Sequence, residues 1–265
     1  MIKIVVLNDD RNDNELFEAE HGFSLYIELD NLKLLFDVGQ TDIFIDNASK
    51  LGIDVNDVDV IILSHGHYDH GNGLDYFKKR VKLVMHPECI NYRIRKSTGT
   101  YGGINSSLEQ LDTRFDLVLN EGVLKLKDNV YVLSNIERTV DFECKKFPMT
   151  DKDGKDDKVN DESCVVITTN KGLIVISGCA HSGICNTIEY AKKMTGIDYV
   201  YAVIGGFHLR EVNDVSEKTI NYFIDNGVKY VYPAHCTCDE ACKQLVDSKE
   251  FKTEIVKVGN SYFFD

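Results

Sequence analysis

Three histidines and an aspartate fall within six positions of Ser64-His65-Gly66-His67-Tyr68-Asp69-His70-Gly71. The run before them, Val58-Asp59-Val60-Ile61-Ile62-Leu63, is short and apolar, the pattern of a buried strand. Gly71 and Gly73 follow, and Leu74-Asp75-Tyr76-Phe77-Lys78-Lys79-Arg80 reads as a helix. The cluster therefore belongs on the loop between a strand end and a helix start, where ligands collect in open α/β sheets. Packing four such side chains into one turn for structure alone would crowd polar groups that each need a partner. Neutral imidazoles beside a carboxylate suit a borderline divalent ion: zinc, iron or manganese.

The chain around this loop has 265 residues and 43% hydrophobic content, enough for a sizeable core in one or two domains. Its net charge of −13 argues against a nucleic-acid partner, whose binding proteins are usually basic, and against an anionic membrane. Residues 2–7 read as a strand that stops at Asp9-Asp10, not as the apolar core of a signal peptide. Apolar runs stay well short of the roughly 20 residues of a membrane span. The cytoplasm is the expected location. Eight cysteines in such a chain are expected as reduced thiols and not as a disulfide framework.

Residues 2–7, 23–29 and 32–37 read as strands, with Asp30-Asn31 turning between the last two. Thr41 is placed to cap a helix carrying Ile43, Phe44, Ala48 and Leu51, closed by Gly52. Strands are expected at 81–85, 115–119, 123–126 and 130–134, a loop over 91–107, and a solvated polar loop over 150–162. That polar loop is not a calcium loop, because counting back from Gly154 puts Met149 where an EF-hand needs its first acid. In the second half, strands 164–169 and 172–177 form a hairpin around Asn170-Lys171-Gly172. Helices at 184–195, 215–226 and 239–247 alternate with strands at 198–204 and 228–232, and strands at 254–258 and 261–264 end the chain. Each half runs strands first and then alternates strand with helix. That rhythm predicts two packed sheets with helices outside, in one domain over 1–265.

Three more histidines take the same kind of position as His65. His181 in Gly178-Cys179-Ala180-His181, His208 in Gly205-Gly206-Phe207-His208-Leu209 and His235 in Pro233-Ala234-His235 each follow an apolar strand. Several strand ends on one sheet edge can aim imidazoles at one point. His181 and His235 are therefore candidate ligands. His208 either ligates or hydrogen-bonds a ligand or the substrate. His86, before Pro87 at a strand end, reads as structural, and His21 has no partner nameable from the sequence.

Taken together, these motifs resemble the metallo-β-lactamase fold superfamily. Its H-x-H-x-D-H motif stands here as His65, His67, Asp69 and His70, and its preceding strand-end Asp matches Asp37 in Phe36-Asp37-Val38-Gly39. Gly178-Cys179-Ala180-His181, Gly205-Gly206-Phe207-His208-Leu209 and His235-Cys236-Thr237 resemble one subgroup. Its members are often labelled 7,8-dihydropterin-6-yl-methyl-4-(β-D-ribofuranosyl)aminobenzene 5′-phosphate synthases, a name from methanopterin biosynthesis. The resemblance covers nearly the whole chain and implies an αββα sandwich holding two divalent ions, zinc foremost. It implies that His65, His67 and His181 hold the first ion and that Asp69, His70 and His235 hold the second. Asp37 would then fix a ligand histidine in one tautomer. Cys179 stands where the superfamily usually has a bridging Asp, either as a thiolate ligand or with the bridge absent. Members that do redox chemistry on two irons carry Glu at the place of His67, so His67 implies hydrolysis.

The implied reaction is attack of a metal-bound hydroxide on an ester, lactone or phosphoester-type small molecule, with Asp69 orienting the hydroxide and shuttling its proton. Two other readings stay open: a transferase or synthase step in pterin biosynthesis, and a metal-containing protein that binds a small molecule without turnover. Arg93, Arg95 and Lys96 lie beside Gly99, Gly102 and Gly103. That pattern either seizes a phosphate or carboxylate of an anionic substrate or is a solvated basic turn. Cys236, Cys238 and Cys242 form a C-x-C-x₃-C run. It is either a separate zinc or iron–sulfur site, or thiols at a helix start and on its buried face.

Overall fold

The apolar runs of the first half build one sheet. β1 (Ile2–Asn8), β2 (Ser24–Leu29) and β3 (Leu32–Phe36) pair as an antiparallel meander, and Asp30 takes φ 50° in the turn between the last two. After α1 (Ile43–Lys50), β4 (Val60–Ile62) joins β3 in parallel. Next come the short helix α2 (Tyr68–Gly71), β5 (Lys82–Met85), the two-residue β6 (Ile94–Arg95), α3 (Leu108–Arg114) and β7 (Asp116–Leu119). β5 and β7 extend the sheet in parallel. The second half repeats the rule. β8 (Val123–Lys127), β9 (Val130–Ser134), β11 (Ser163–Thr169) and β12 (Gly172–Ser177) are antiparallel neighbours, while the small β10 (Met149–Thr150) pairs with β6. Then α4 (Ile184–Thr195), β13 (Val200–Gly206), α5 (Asp214–Asp225), β14 (Tyr230–Ala234), α6 (Asp239–Ser248) and β15 (Lys252–Thr253) alternate, and the strands are parallel. β16 (Ser261–Phe264) returns to lie against β1.

This computed structural model describes residues 1–143 and 146–265. The chain forms two compact units: residues 1–121, 148–157 and 257–265, and residues 122–147 and 158–256. Each has a seven-stranded sheet, ordered β16-β1-β2-β3-β4-β5-β7 in the first unit and β15-β14-β13-β12-β11-β9-β8 in the second. Each also has its own apolar cluster. In the first unit Phe44 and Ala48 of α1 pack with Val5, Leu35 and Ile61. In the second, Ile184, Ile188 and Ala191 of α4, Phe223 of α5 and Leu245 of α6 pack with Val175, Val203 and Val231. These helices pack their apolar positions at helical spacing, and they also bury polar side chains such as Asn47, Asn186, Thr187 and Thr219.

Four local expectations need correction. The helix expected over 74–80 starts earlier, inside the motif. His67 is its extended N-cap, α2 covers Tyr68–Gly71, and a 3₁₀ turn over Asn72–Tyr76 ends it. Asp42, not Thr41, is the N-cap of α1; the Thr41 hydroxyl donates to Glu20 at 2.8 Å and accepts from Ile43 N–H. The loop 91–107 carries β6, and a helix follows it that the apolar pattern did not reveal. Ser107 and Gln110 close that helix, α3, with a reciprocal capping box. The strand expected over 254–258 does not form there; the edge pairing is the two-residue β15 just before it. Val256 N–H still donates to the Pro233 carbonyl at 3.0 Å, but Pro233 has no N–H to return a bond, so the parallel ladder cannot continue.

Candidate metal centre

The parallel pairing of β3 with β4 decides where the motif sits. Phe36 lies opposite Ile62, so Asp37 and Ser64 leave adjacent strands side by side. Ser64 N–H and its hydroxyl each donate to the Asp37 carboxylate at 2.7 Å. The same carboxylate lies 2.7 Å from His70 Nδ1, and both side chains are buried. A carboxylate in that place keeps the His70 proton on Nδ1 and leaves the Nε2 lone pair for a metal. His65 Nδ1 is 2.8 Å from Ser64 Oγ, and its Nε2 is 2.9 Å from His67 Nδ1. Burial, reinforced by the His70 and His67 imidazoles, holds His65 well below the ordinary imidazole range, so it is the neutral form that ligates. Gly66 lets this turn close: a Cβ there would lie 1.8 Å from the Cys89 carbonyl oxygen. Tyr68 N–H donates to Gly102 O at 3.0 Å, which pins the loop after β6 to the motif.

His21, which the sequence left without a partner, bridges two acids. Its Nδ1 is 2.7 Å from Asp10 and its Nε2 is 3.2 Å from Asp69 Oδ2. His86 is structural as expected, its Nδ1 accepting from Glu88 N–H at 3.1 Å. The three cations of the 91–107 loop are engaged locally. Arg93 is buried, 2.5 Å from Asp157, and also donates to the Cys89 and Glu88 carbonyls. Arg95 lies over the Tyr68 ring at 4.7 Å and donates to Thr100 Oγ1, and Lys96 pairs with Asp156 at 2.5 Å. Asp156 and Asp157 come from the stretch read as a free polar loop, and so does Glu162, which is buried.

In the second unit, β12, β13 and β14 are parallel neighbours with Ser177 opposite Gly205 and Gly206 opposite Ala234. Cys179 and His181, His208, and His235 and Cys236 therefore leave one sheet edge together. Ala180, His208 and His235 take φ of 51°, 53° and 42°, and Asp37 in the first unit takes 58°. Left-handed backbone at residues other than glycine costs energy and clusters at functional sites. Glu162 braces the His181 turn by accepting from His181 N–H and from Ser182 N–H, and burial pushes its carboxyl up to about 7. Glu143 accepts from Cys185 and Asn186 N–H at 3.0 and 2.9 Å at the start of α4. A cavity of about 280 Å³ adjoins these residues, lined by Phe142, Lys146, His181, Phe207, His208 and Val215 among others.

The profile of the Metallo-beta-lactamase superfamily matches residues 18–235. This chain belongs to that superfamily. An uncharacterised protein of Methanocaldococcus jannaschii is 36% identical to it over 95% of this chain and 96% of that protein. The 7,8-dihydropterin-6-methyl-4-(β-D-ribofuranosyl)-aminobenzene-5′-phosphate synthase of the same organism is 32% identical over 97% and 94%. A solved structure described as a metal-dependent hydrolase of the β-lactamase superfamily matches with a TM-score of 0.87 and 29% identity, covering 100% of this chain and 99% of that one. The metallo-β-lactamase fold is therefore this chain's fold, and membership of the superfamily implies that it binds divalent metal. Among the described residues no helix is long and apolar enough to cross a membrane.

The cysteine run of this superfamily member does not converge. Cys238 is the N-cap of α6, its sulfur accepting from Ala241 N–H at 3.4 Å, and Cys242 is buried on that helix with its thiol toward Thr237 O. Cys236 points elsewhere, its sulfur 3.5 Å from the Cys179 carbonyl. Burial raises its thiol, but Cys179, His208 and His235 outweigh that and hold it well below the usual range. Among the described residues all the cysteines are free thiols.

Proposed function

We propose that this chain is a metal-dependent hydrolase acting on an ester, lactone or phosphoester-type small molecule. The observation that carries the reading is the buried group of neutral His65, His67 and Asp37-oriented His70 beside Asp69, a donor set that fits divalent zinc, iron or manganese. In this reading His65, His67 and His181 hold one ion, and Asp69, His70 and His235 hold a second. Bound there, the ions supply Lewis acidity and lower the pKa of a water toward neutrality.

The chain's own residues do the rest. Asp37 fixes the His70 tautomer, and Glu162 fixes the backbone turn that presents His181. Asp69 accepts a proton from the attacking water, and His21, between Asp69 and Asp10, relays it outward. The apolar walls of Phe142, Phe207 and Val215 take the uncharged part of the substrate. Elemental analysis of the purified protein, followed by a screen of phosphodiesters, lactones and thioesters with metal-reconstituted protein, tests the proposal. It predicts at least two equivalents of metal and turnover in at least one class; metal-loaded protein inert toward all of them would refute it.

A synthase reading has its own support in the 32% identity to the pterin-pathway enzyme over nearly the full length of both chains. Turnover of a pterin precursor with a ribosyl donor, under conditions where every hydrolase substrate fails, would favour it.

A further inference from the structure

Sequence adjacency groups Cys236 with Cys238 and Cys242, but the fold groups it with residues 57 and 28 positions away. Cys179, His208 and Cys236 leave three neighbouring parallel strand ends of the second unit, and their ligand atoms lie within 4.8 Å of one another. We propose that these three side chains bind a thiophilic divalent ion of the zinc class, with a donor set different from the histidines and aspartate of the proposed hydrolytic centre. The donor set of two sulfurs and one imidazole is the kind that selects zinc over magnesium, calcium or manganese. An ion about 2.0–2.3 Å from each donor holds its ligands roughly 3.5–4 Å apart, inside the 4.8 Å within which these atoms already lie.

Three features of the fold make room for the ion. Gly206 has no Cβ, and one placed there would lie 2.6 Å from the Cys236 sulfur and 3.2 Å from Cys179 Cα. His208 is held in left-handed backbone at φ 53°, which turns its ring to this side of the strand end. Its Nδ1 is buried with no hydrogen-bond partner. Binding forms two sulfur–metal bonds and one nitrogen–metal bond with both sulfurs as thiolates; any proton a thiol still holds goes to solvent, with no change of oxidation state.

Cobalt(II) titration of reduced, metal-free protein reads the site directly, because thiolate ligation gives a near-ultraviolet charge-transfer band that histidine and carboxylate ligands do not. The band is expected in the wild type, in Cys242→Ser, and in His67→Ala, which removes a ligand of the other centre. It is expected to disappear in Cys179→Ser and in Cys236→Ser, each shown to be folded by circular dichroism. A wild type without the band, a band that survives loss of both Cys179 and Cys236, or a band lost in folded His67→Ala overturns the proposal. X-ray absorption of the zinc-loaded wild type gives the same answer without substitutions. Sulfur scatterers at about 2.3 Å support the site, and a shell of nitrogen and oxygen alone overturns it.

Discussion

Asp37 bonds no metal in the proposed centre, yet it holds three groups of the motif at once: the Ser64 amide, the Ser64 hydroxyl and His70 Nδ1. Asp37→Asn keeps the shape, but the amide can turn its NH₂ toward His70 and favour the wrong tautomer. Loss of such a partner typically costs 10–100-fold in metal affinity. We expect a drop of about that size, measured by competition with a chromophoric chelator, and an unchanged affinity would remove Asp37 from this role. His21 acts one step further out. Replacing it with Ala should leave the metal content intact and lower kcat by roughly 100-fold, the low end of the range that a positioned proton-transfer group contributes. A fall in bound metal instead would make His21 a ligand. The motif residues were readable from their spacing alone. His21 was not, because its partners Asp10 and Asp69 approach it only once β1, β2 and the motif are assembled.

At the scale of the element, the strand exits carry the chemistry. Parallel pairing brings consecutive exits to one edge, and the exits are tight enough that side-chain volume decides whether they form. Gly66→Ala would drive a Cβ to 1.8 Å from the Cys89 carbonyl, so the turn must move. We expect a loss of several kcal/mol, seen as a large fall in the denaturant midpoint, together with loss of metal. The 91–107 loop carries a different lesson. Its cations suggested anion capture, but Arg93 is 1% exposed and ties β6 to Asp157 of the stretch after β10. Arg93→Met takes the guanidinium from a partly exposed Asp157 carboxylate and should cost about 1–3 kcal/mol, the range for leaving a polar group without its partner. A destabilisation below about 1 kcal/mol would show that the pair is not structural. Sequence shows the charge of an arginine but not its burial, because the neutralising acid lies 64 residues away.

For the whole molecule, metal and fold are linked by mass action. A divalent ion bound to the folded chain at a free concentration 100 times its Kd stabilises it by about 2.7 kcal/mol. For a chain of this size that is a shift in Tm of roughly 5–10 °C. Metal-free protein should therefore melt lower than protein with zinc restored. Equal melting temperatures at saturating zinc would mean that no structural stability depends on the ions. The strand-and-helix rhythm of the two halves was legible in the sequence, and it returned as two sheets of matching order. Hydrophobic period and glycine punctuation set the type and place of most elements, and the spacing of His65, His67, Asp69 and His70 named the chemistry. Only the tertiary structure decided which distant residues serve those elements. It recruited His21, Glu143 and Glu162, turned Arg93 from a candidate anion ligand into a buried brace, and regrouped Cys236 with Cys179 and His208. The reason is physical: periodicity and turn chemistry are local along the chain, whereas burial, charge pairing and ligand convergence depend on which strand ends the sheet order makes neighbours.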